Sequence, residues 1–394
     1  MFGFDLLGGK YEDYVIKMRR EFHEHPEVAM KEKETSQRII KEIESIGIEY
    51  EIVEPYGIIA TMRGGNPGKT VLLRADMDAL PIEEDPSNLV GPKVVVSKNP
   101  GVGHLCGHDA HMAMLLGAMK VLDELKDGLC GTILFCFEEG EETGGGVEAI
   151  LDSLADKTVD ACWGIHVYSE LPSGKISVDP GPRMSGSGGF NVTVRGRGGH
   201  GSRPDQTIDP IQCTAQIIVN LSSILSRELN PMEPGVVTVG FVKSGEVGNV
   251  IPDTATFGGT CRSFDLDTGL KIKEAFFRIT ENIAAAHRCT ADINYRGPNL
   301  PVINDPTMSA VAAESIKNHL GEDCLTKCDP WMASESFGRY LNKYPGVFAF
   351  LGIANPAIGT GAPHHNPKFD VDESVLKLGV AATVQFVLDF LACR

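Results

Sequence analysis

The segment Val71-Leu72-Leu73-Arg74-Ala75-Asp76-Met77-Asp78 begins as a short apolar strand and ends in two carboxylates. The chain around it continues as alternating strands and helices. A helix with an apolar face follows His108, and further apolar strands are predicted over 132–137, 161–167 and 347–353. Strands joined by helices indicate an α/β fold whose ligands gather at the ends of the strands.

A different pattern follows the glycine-rich run at 185–189. Strands are predicted over 190–194, 236–242, 254–262 and 291–295, and helices over 209–229 and 270–287. The resulting β-α-β-β-α-β order is that of a ferredoxin-like unit. Because the α/β pattern then resumes, we expect an inserted domain at residues 185–298 and a discontinuous catalytic domain at residues 1–184 and 299–394.

Composition limits the class of protein. A chain of 394 residues exceeds the size at which one core usually stops growing, so two domains are expected. The formal net charge of -17 argues against nucleic acid or an anionic membrane as a partner. No apolar run reaches the roughly 20 residues that span a bilayer, and the N-terminus lacks a signal-peptide pattern. The cysteines lie in apolar contexts typical of reduced thiols, so we expect a cytoplasmic protein.

One glycine-containing loop, which leads into a helix, carries several potential metal ligands: His104, Cys106, His108 and His111. A Cys-x-His pair by itself favours a structural role. Here Gly103 and Gly107 let the backbone turn, so that both side chains can face one point. A thiolate and an imidazole together suit a borderline-soft ion such as zinc.

The run Glu138-Glu139-Gly140-Glu141-Glu142 directly follows an apolar strand. Carboxylates this close repel one another unless a cation or solvent separates them. In isolation the run is typical of a solvated loop, but beside a Cys/His cluster it indicates a metal ligand and a general base. With His166 in the next strand and His365 in the loop 363–367, separate α/β loops supply the ligands of a two-metal hydrolytic site.

Taken in order, these motifs resemble the dinuclear metallopeptidase and aminoacylase family, in the branch of hippurate hydrolases and indoleacetyl-amino-acid hydrolases. The matching landmarks run nearly from end to end: His23-Glu24-His25-Pro26-Glu27, Arg74-Ala75-Asp76-Met77-Asp78-Ala79-Leu80-Pro81, Cys106-Gly107-His108-Asp109-Ala110-His111, Gly164-Ile165-His166, Gly198-Gly199-His200, Asn249-Val250-Ile251-Pro252, Ser334-Glu335 and His365-Asn366-Pro367. The resemblance implies an α/β, mixed-sheet catalytic domain of the zinc-exopeptidase type. It also implies an inserted ferredoxin-like α+β lid and dimerisation domain, and hence a homodimer.

The resemblance further implies a set of ligands for two divalent metal ions: Cys106, His108, Glu142, His166 and His365. Cys106 would bridge the ions, and Glu141 would be the general base that activates water and later protonates the leaving amine. The family usually has Phe-Gln-Pro-Ala-Glu-Glu where this chain has Phe137-Glu138-Glu139-Gly140-Glu141-Glu142. An ungapped alignment on Gly131-Thr132 and Phe137 selects Glu141 and Glu142, and the pair Glu138-Glu139 is the alternative.

Other positions receive roles by the same analogy. His200 would stabilise the tetrahedral oxyanion, and Asn249 and Arg262 would hold the substrate carboxylate. For Arg262 a surface ion pair is the alternative. Ser336 departs from the Asp that the branch has after Ser-Glu, which puts a role at that position in doubt.

Six further residues near these motifs are assigned from the sequence. Asp76 and Asp78 are expected to orient ligating histidines. His104 and His111 lie near the metals, whereas His23 and His25 are interpreted as structural.

The function predicted from the sequence is hydrolysis of the amide bond of N-acyl amino acids by metal-activated water. The enzymatic alternative is a carboxypeptidase or dipeptidase, because both kinds of substrate present an amide beside a carboxylate. A non-catalytic metal-binding homologue is the alternative from another class. The thiolate favours zinc, with manganese, cobalt and nickel as other candidates.

Overall fold

The computed structural model describes residues 9–392. They divide into two compact units. Unit 1 contains the described residues up to Gly181, Ile303–Asp329 and those from Arg339 onward. Unit 2 contains Pro182–Val302 and Pro330–Gly338. The range 185–298, predicted as the inserted domain, lies within the first segment of unit 2, whereas the sequence did not indicate that Pro330–Gly338 packs there.

The α-helices of the described chain are α1 (Glu12–Glu24), α2 (Lys33–Ile46), α3 (His108–Leu125), α4 (Val147–Ser153), α5 (Pro210–Ser223), α6 (Leu266–Ala286), α7 (Pro306–Leu320), α8 (Gly338–Lys343) and α9 (Leu376–Phe390). The strands are β1 (Glu49–Val53), β2 (Gly57–Arg63), β3 (Asn66–Asp76), β4 (Cys130–Glu138), β5 (Ala161–Pro172), β6 (Ile176–Ser177), β7 (Gly181–Met184), β8 (Gly186–Arg195), β9 (Gly199–His200), β10 (Gly235–Ser244), β11 (Val250–Ile251), β12 (Thr254–Ser263), β13 (Thr290–Arg296), β14 (Val302–Asn304) and β15 (Gly346–Ala354).

Unit 1 is built on a seven-stranded sheet in the order β1-β2-β4-β3-β5-β15-β6. The central strands β4, β3, β5 and β15 run parallel, and β1, β2 and β6 are antiparallel to their neighbours. The register places Asp76 beside Glu138 at the carboxyl ends of β3 and β4. The mixed α/β sheet is therefore confirmed, and its carboxyl edge gathers the acidic and histidine side chains.

Helix α3 is buried on nearly all sides because it lies between the sheet and the helices α1 and α9. A Cβ atom at Gly117 would lie 2.6 Å from Val15 Cγ2 and 3.1 Å from Val380 Cγ2, so only glycine allows this close approach. The apolar residues that the sequence placed on one face of this helix are part of the unit's core. This packing fixes the first turn of α3, which carries His108.

Unit 2 contains a four-stranded antiparallel sheet in the order β10-β12-β8-β13. Strand β12 lies between β8 and β10, as in a split β-α-β unit, and α5 and α6 pack against the sheet. The core includes Phe190, Ile217, Phe257 and Phe276. The ferredoxin-like architecture is confirmed.

Three features complete the comparison with the sequence. The long loop predicted between Glu84 and Gly103 contains no helix or strand. Between residues 9 and 392, every helix is too short or too polar to span a bilayer. Eight cysteines of the described chain are free, but Cys130 takes part in a disulfide bond, so the prediction of reduced thiols is wrong at that residue.

Candidate metal centre

Gly107 sets the geometry of the loop that carries Cys106 and His108. Its φ of 95° lies in the left-handed region, and a Cβ atom there would lie 2.3 Å from Val167 Cγ2. The turn ends at His108, the first residue of α3. Cys106 Sγ lies 3.7 Å from His166 Nε2, so the loop and strand β5 place a thiol and two imidazoles together.

His108 is oriented by Asp78. Its Nδ1 lies 2.9 Å from the Asp78 carbonyl oxygen and 3.2 Å from Asp78 Oδ1, so Nδ1–H is the donor and Nε2 keeps its lone pair. His108 Nε2 is buried and makes no hydrogen bond within the described chain. Asp76 Oδ2 lies 3.7 Å away, beyond hydrogen-bond distance. A buried imidazole nitrogen that keeps its lone pair and makes no hydrogen bond is suited to bind a metal ion.

His111 uses both ring nitrogens in other contacts. Nδ1 lies 2.6 Å from Asp76 Oδ1, and Nε2 accepts a hydrogen bond of 2.9 Å from the Val167 N–H. Burial raises the pKa of Asp76, but His108, His111 and Arg74 outweigh it and hold that pKa well below its usual range. His111 therefore connects an anionic Asp76 on β3 to strand β5, beside His166.

Glu142 and His365 approach each other from distant parts of the chain. The Glu142 N–H donates to Asp78 Oδ2 at 3.0 Å, and Glu142 Oε1 lies 3.2 Å from His365 Nε2. The His365 N–H donates to the Leu105 carbonyl at 2.8 Å. His365 has a φ of 65°, a conformation that a non-glycine residue keeps only when its surroundings fix it.

The candidate ligands form overlapping sets in which one donor atom of each residue lies within 4.8 Å of the others. These sets are Cys106 with His108 and His166, Cys106 with Glu142 and His365, His108 with Glu141 and Glu142, and Asp76 with His108 and His111. The first three bring together all five predicted ligands and the predicted base, all in unit 1. Because Cys106 belongs to two sets, one sulfur can serve two ions, and the mixed S, N and O donors fit borderline divalent metals.

Glu138 and Glu139 have other partners. Glu138 is buried, and its Oε2 accepts hydrogen bonds from Arg74 Nε at 2.9 Å and from the Tyr340 hydroxyl at 2.8 Å. Burial raises the pKa of Glu139. Neither residue belongs to a potential metal-ligand group in the described chain, whereas Glu141 and Glu142 do.

His104 and His364 also belong to no such group in the part of the chain described. His104 has no hydrogen-bond partner there for either ring nitrogen, and burial lowers its pKa to about 3. His364 Nε2 accepts a hydrogen bond of 3.2 Å from the Ser169 N–H, and burial lowers its pKa to about 3 as well. Both rings are therefore neutral near pH 7.

Sequence reasoning gave no role to Arg74, which pairs with Asp76 at 2.8 Å and with Glu138 at 2.9 Å. The available signal was an arginine within an otherwise apolar strand, since such a residue is rarely buried unless it is paired.

The remaining predicted site residues lie in unit 2. His200 Nδ1 accepts a hydrogen bond of 3.1 Å from the Ser202 N–H, so the neutral ring carries its proton on Nε2 and can donate it. The Asn249 carbonyl accepts from the Gly201 N–H at 2.8 Å, beside His200. Arg262 NH1 donates to the Cys261 carbonyl at 3.0 Å. The described chain offers Arg262 no carboxylate within 4.0 Å, so the alternative of an ion pair is not observed within the chain.

Ser336, the second departure from the family pattern, donates to Glu335 Oε1 at 3.2 Å. The same oxygen accepts from the Phe337 N–H at 3.0 Å. The hydroxyl thus belongs to a local turn in unit 2 and supplies no carboxylate.

Comparison with known proteins gives a consistent result. Residues 72–389 match the model of peptidase family M20/M25/M40. The chain is 38% identical over 384 residues to thermostable carboxypeptidase 2 of Saccharolobus solfataricus, covering 96% of each chain. It is 37% identical over 386 residues to the IAA-amino acid hydrolase ILR1-like 2 of Arabidopsis thaliana, covering 96% of this chain and 85% of the relative. It is 34% identical over 368 residues to an N-acetyl-L-cysteine deacetylase of Bacillus subtilis, covering 93% and 85%.

A solved structure resembles the chain over nearly its whole length. The YXEP protein of Bacillus subtilis, described as a dinuclear metal binding peptidase from the M20 family, superposes with a TM-score of 0.83. It is 31% identical in sequence, and the match covers 97% of this chain and 99% of that one.

Proposed function

We propose that this chain, which belongs to peptidase family M20/M25/M40, acts on N-acyl amino acids. The family of the chain and its named relatives identify it as a metal-dependent amidohydrolase with a dinuclear centre. The observation that carries the proposal is the convergence of Cys106, His108, Glu142, His166 and His365 beside Glu141. Two relatives are named for amino-acid conjugates or N-acetyl amino acids, which supports this substrate class.

The proposed ligand set assigns Cys106 to both ions because it belongs to two of the groups described above. Metal ions held there supply a Lewis acid that polarises the amide carbonyl and lowers the pKa of water. The protein's own contribution is to fix the ligands. Asp78 orients His108 and receives the Glu142 N–H, and His111 holds the strand that carries His166.

Glu141 is the proposed general base. It is partly exposed in the short turn Glu141–Thr143, next to the ligand Glu142. Its carboxylate takes a proton from the water that attacks the amide carbon, and the C–N bond then breaks. The same proton passes to the departing nitrogen, which leaves a carboxylic acid and a free amine as products, and the acid then ionises to a carboxylate.

Residues of unit 2 are proposed to recognise the rest of the substrate. The Nε2–H of His200 is available as a donor to the oxyanion that forms on attack, because Ser202 fixes the tautomer. Arg262 is partly buried and has no carboxylate partner in the described chain, so a substrate carboxylate would supply its counter-charge. Asn249, beside His200, is proposed as a second contact to that carboxylate.

Peptide hydrolysis is the second candidate, and the thermostable carboxypeptidase among the relatives favours it. The test measures kcat/KM for an N-acetyl amino acid, its C-terminal carboxamide and a matching dipeptide, with zinc, manganese, cobalt or nickel restored in turn. We expect the N-acetyl amino acid to be the best substrate and the carboxamide to be poor, because it lacks the carboxylate. Cleavage of the dipeptide alone would replace N-acyl amino acids with peptides as the substrate class.

A homodimer is proposed through strand β10, which forms one edge of the sheet in unit 2. Its side chains Phe241 and Val242 are 40% and 54% exposed. An exposed edge strand that carries apolar side chains tends to pair with another strand. In a two-fold dimer the same strand of both copies would meet.

A cytoplasmic location is proposed as well. The eight free cysteines of the described chain support it, whereas the disulfide bond at Cys130 does not. Fractionation of cells followed by immunodetection tests the location, and recovery outside the cytoplasm would contradict it.

A further inference from the structure

We propose that a buried row of alternating charges, formed by Arg19, Asp109, His23, Glu84 and Lys93, positions His365 for metal binding. These are positioning residues, because none of them belongs to a ligand group in the described chain. The inference rests on the proposed role of His365 as a ligand, and it adds to that role the elements that hold this side chain in place.

The row is continuous. Arg19 Nε lies 2.8 Å from Asp109 Oδ2, which lies 2.8 Å from His23 Nδ1. His23 Nε2 lies 2.9 Å from Glu84 Oε1, and that same oxygen lies 2.7 Å from Lys93 Nζ. All five side chains are at most 2% exposed.

Two members of the row, Asp109 and Lys93, lie in or contact segments that carry ligands. Asp109 follows His108 in the first turn of α3. Lys93 Nζ donates at 2.9 Å to the carbonyl of Pro367, two residues after His365. The row thus connects helix α1 with ligand segments that are more than 250 positions apart in the chain.

His23 is placed to act as a cation within this row. Burial and Arg19 lower its pKa, but Asp109 and Glu84 outweigh them, so the pKa of His23 is raised. A protonated ring donates from both nitrogens, one to each carboxylate. His23 belongs to the motif His23-Glu24-His25-Pro26-Glu27, which was interpreted from sequence as structural. Its ring contacts Asp109 on one side and Glu84 on the other.

The conformation of His365 explains why its loop needs such support. Its φ of 65° is unfavourable for a residue with a side chain and persists only where neighbouring contacts determine it. The Pro367 carbonyl accepts two hydrogen bonds, from Lys93 Nζ at 2.9 Å and from the Asp85 N–H at 3.1 Å. Both donors come from the long loop between Glu84 and Gly103, so this loop holds the segment that follows His365.

Stabilisation of the fold does not by itself explain why these charged side chains are buried. Removing charges from water is costly, and a buried ion pair replaced by apolar side chains often leaves stability unchanged or improved. An ammonium aimed at one carbonyl, however, fixes a direction and a distance that an apolar contact does not. The direct bond to Pro367 therefore points to positioning as the use of Lys93.

The test is the variant Lys93→Met, which keeps the length and apolar stem of the side chain and removes both hydrogen bonds. The metal-loaded protein is mixed with a chromogenic chelator, and the release of each zinc ion is followed. We expect one of the two ions to be bound about 10–100-fold more weakly, as is usual when the support of a ligand is lost. The matched control is Lys98→Met in the same loop, where the lysine side chain is 58% exposed and pairs with Glu24.

Other measurements separate the possible outcomes. Thermal unfolding of the metal-free proteins reports stability, and a lower unfolding temperature with unchanged release of both ions would overturn the positioning role. If Lys93→Met does not fold, the double variant Lys93→Met/Glu84→Gln removes both charges together, and the same release assay decides.

The variant His365→Ala distinguishes this proposal from the ligand assignment. If metal release is faster in His365→Ala but unchanged in Lys93→Met, the positioning role of Lys93 is contradicted and the assignment of His365 as a ligand stands. Unchanged release in His365→Ala would remove the ligand assignment and the positioning role together.

Discussion

Glu138 and Glu141 are expected to respond in opposite ways to replacement by glutamine. Glu138→Gln leaves a neutral amide against Arg74, which keeps its pairing with Asp76 at 2.8 Å. A hydrogen bond to a charged group contributes about 1.5–3 kcal/mol. A buried charge that loses its only partner costs about 3–5 kcal/mol. Because Arg74 retains one carboxylate, we expect a loss of about 2–3 kcal/mol in the free energy of unfolding.

Glu141→Gln should leave the fold intact and stop the chemistry. The side chain is partly exposed and glutamine has nearly the same size, so the replacement should disturb little packing. Loss of a general base lowers kcat by about 10²–10⁴-fold, which corresponds to about 2.7–5.4 kcal/mol in the activation barrier. Metal content should equal that of the wild type, since the neighbouring ligand Glu142 is unchanged.

Three assays on both variants test this contrast: thermal unfolding, metal analysis and turnover of an N-acetyl amino acid. Unit 1 is larger than the 150–250-residue domains for which about 2–4 °C is lost per kcal/mol, so Glu138→Gln should unfold about 4–6 °C earlier. Glu141→Gln should unfold at the wild-type temperature and turn over at most about one per cent as fast. The reverse pattern, with Glu138→Gln stable but inactive and Glu141→Gln active, would refute the assignment of the base and restore the alternative register.

Three further changes test other contacts. His111→Phe removes the bonds to Asp76 and to the Val167 N–H, and we expect metal affinity in a chelator competition to fall about 10–100-fold; unchanged affinity would show that His111 supports no ligand. His200→Ala should lower kcat by about 10²–10³-fold with metal content unchanged, and wild-type kcat would exclude His200 as the oxyanion donor. Phe241→Asp places a charge on the exposed edge of β10, so light scattering should report a monomer where the wild type is a dimer; a dimeric variant would place the interface elsewhere.

Much of the fold follows from local sequence patterns. The apolar strands β3, β4, β5 and β15 and the helix α3 are long and strongly patterned, so their periodicity identifies them. Strands β1 and β2 were not predicted. Strand β1 is mostly exposed and becomes a strand only through its pairing with β2 at the edge of the sheet, so local periodicity gives little signal.

The site was less predictable than the fold because its decisive contacts join distant residues. An ungapped alignment to the family pattern selected Glu141 and Glu142 over Glu138 and Glu139, but the contact of Glu138 with Tyr340, about 200 positions away, could not be predicted. Similarly, the position of His111 near the metals was expected. That its Nε2 accepts a hydrogen bond from the Val167 N–H became evident only from the structure.

The central claim is that five side chains hold two metal ions and that Cys106 is shared between them. Metal stoichiometry of the purified wild type and of Cys106→Ala and His365→Ala, measured at equal free metal, tests it most directly. We predict two ions per chain in the wild type, one in His365→Ala, and loss or strong weakening of both in Cys106→Ala. Two ions bound to Cys106→Ala with wild-type affinity would contradict the claim.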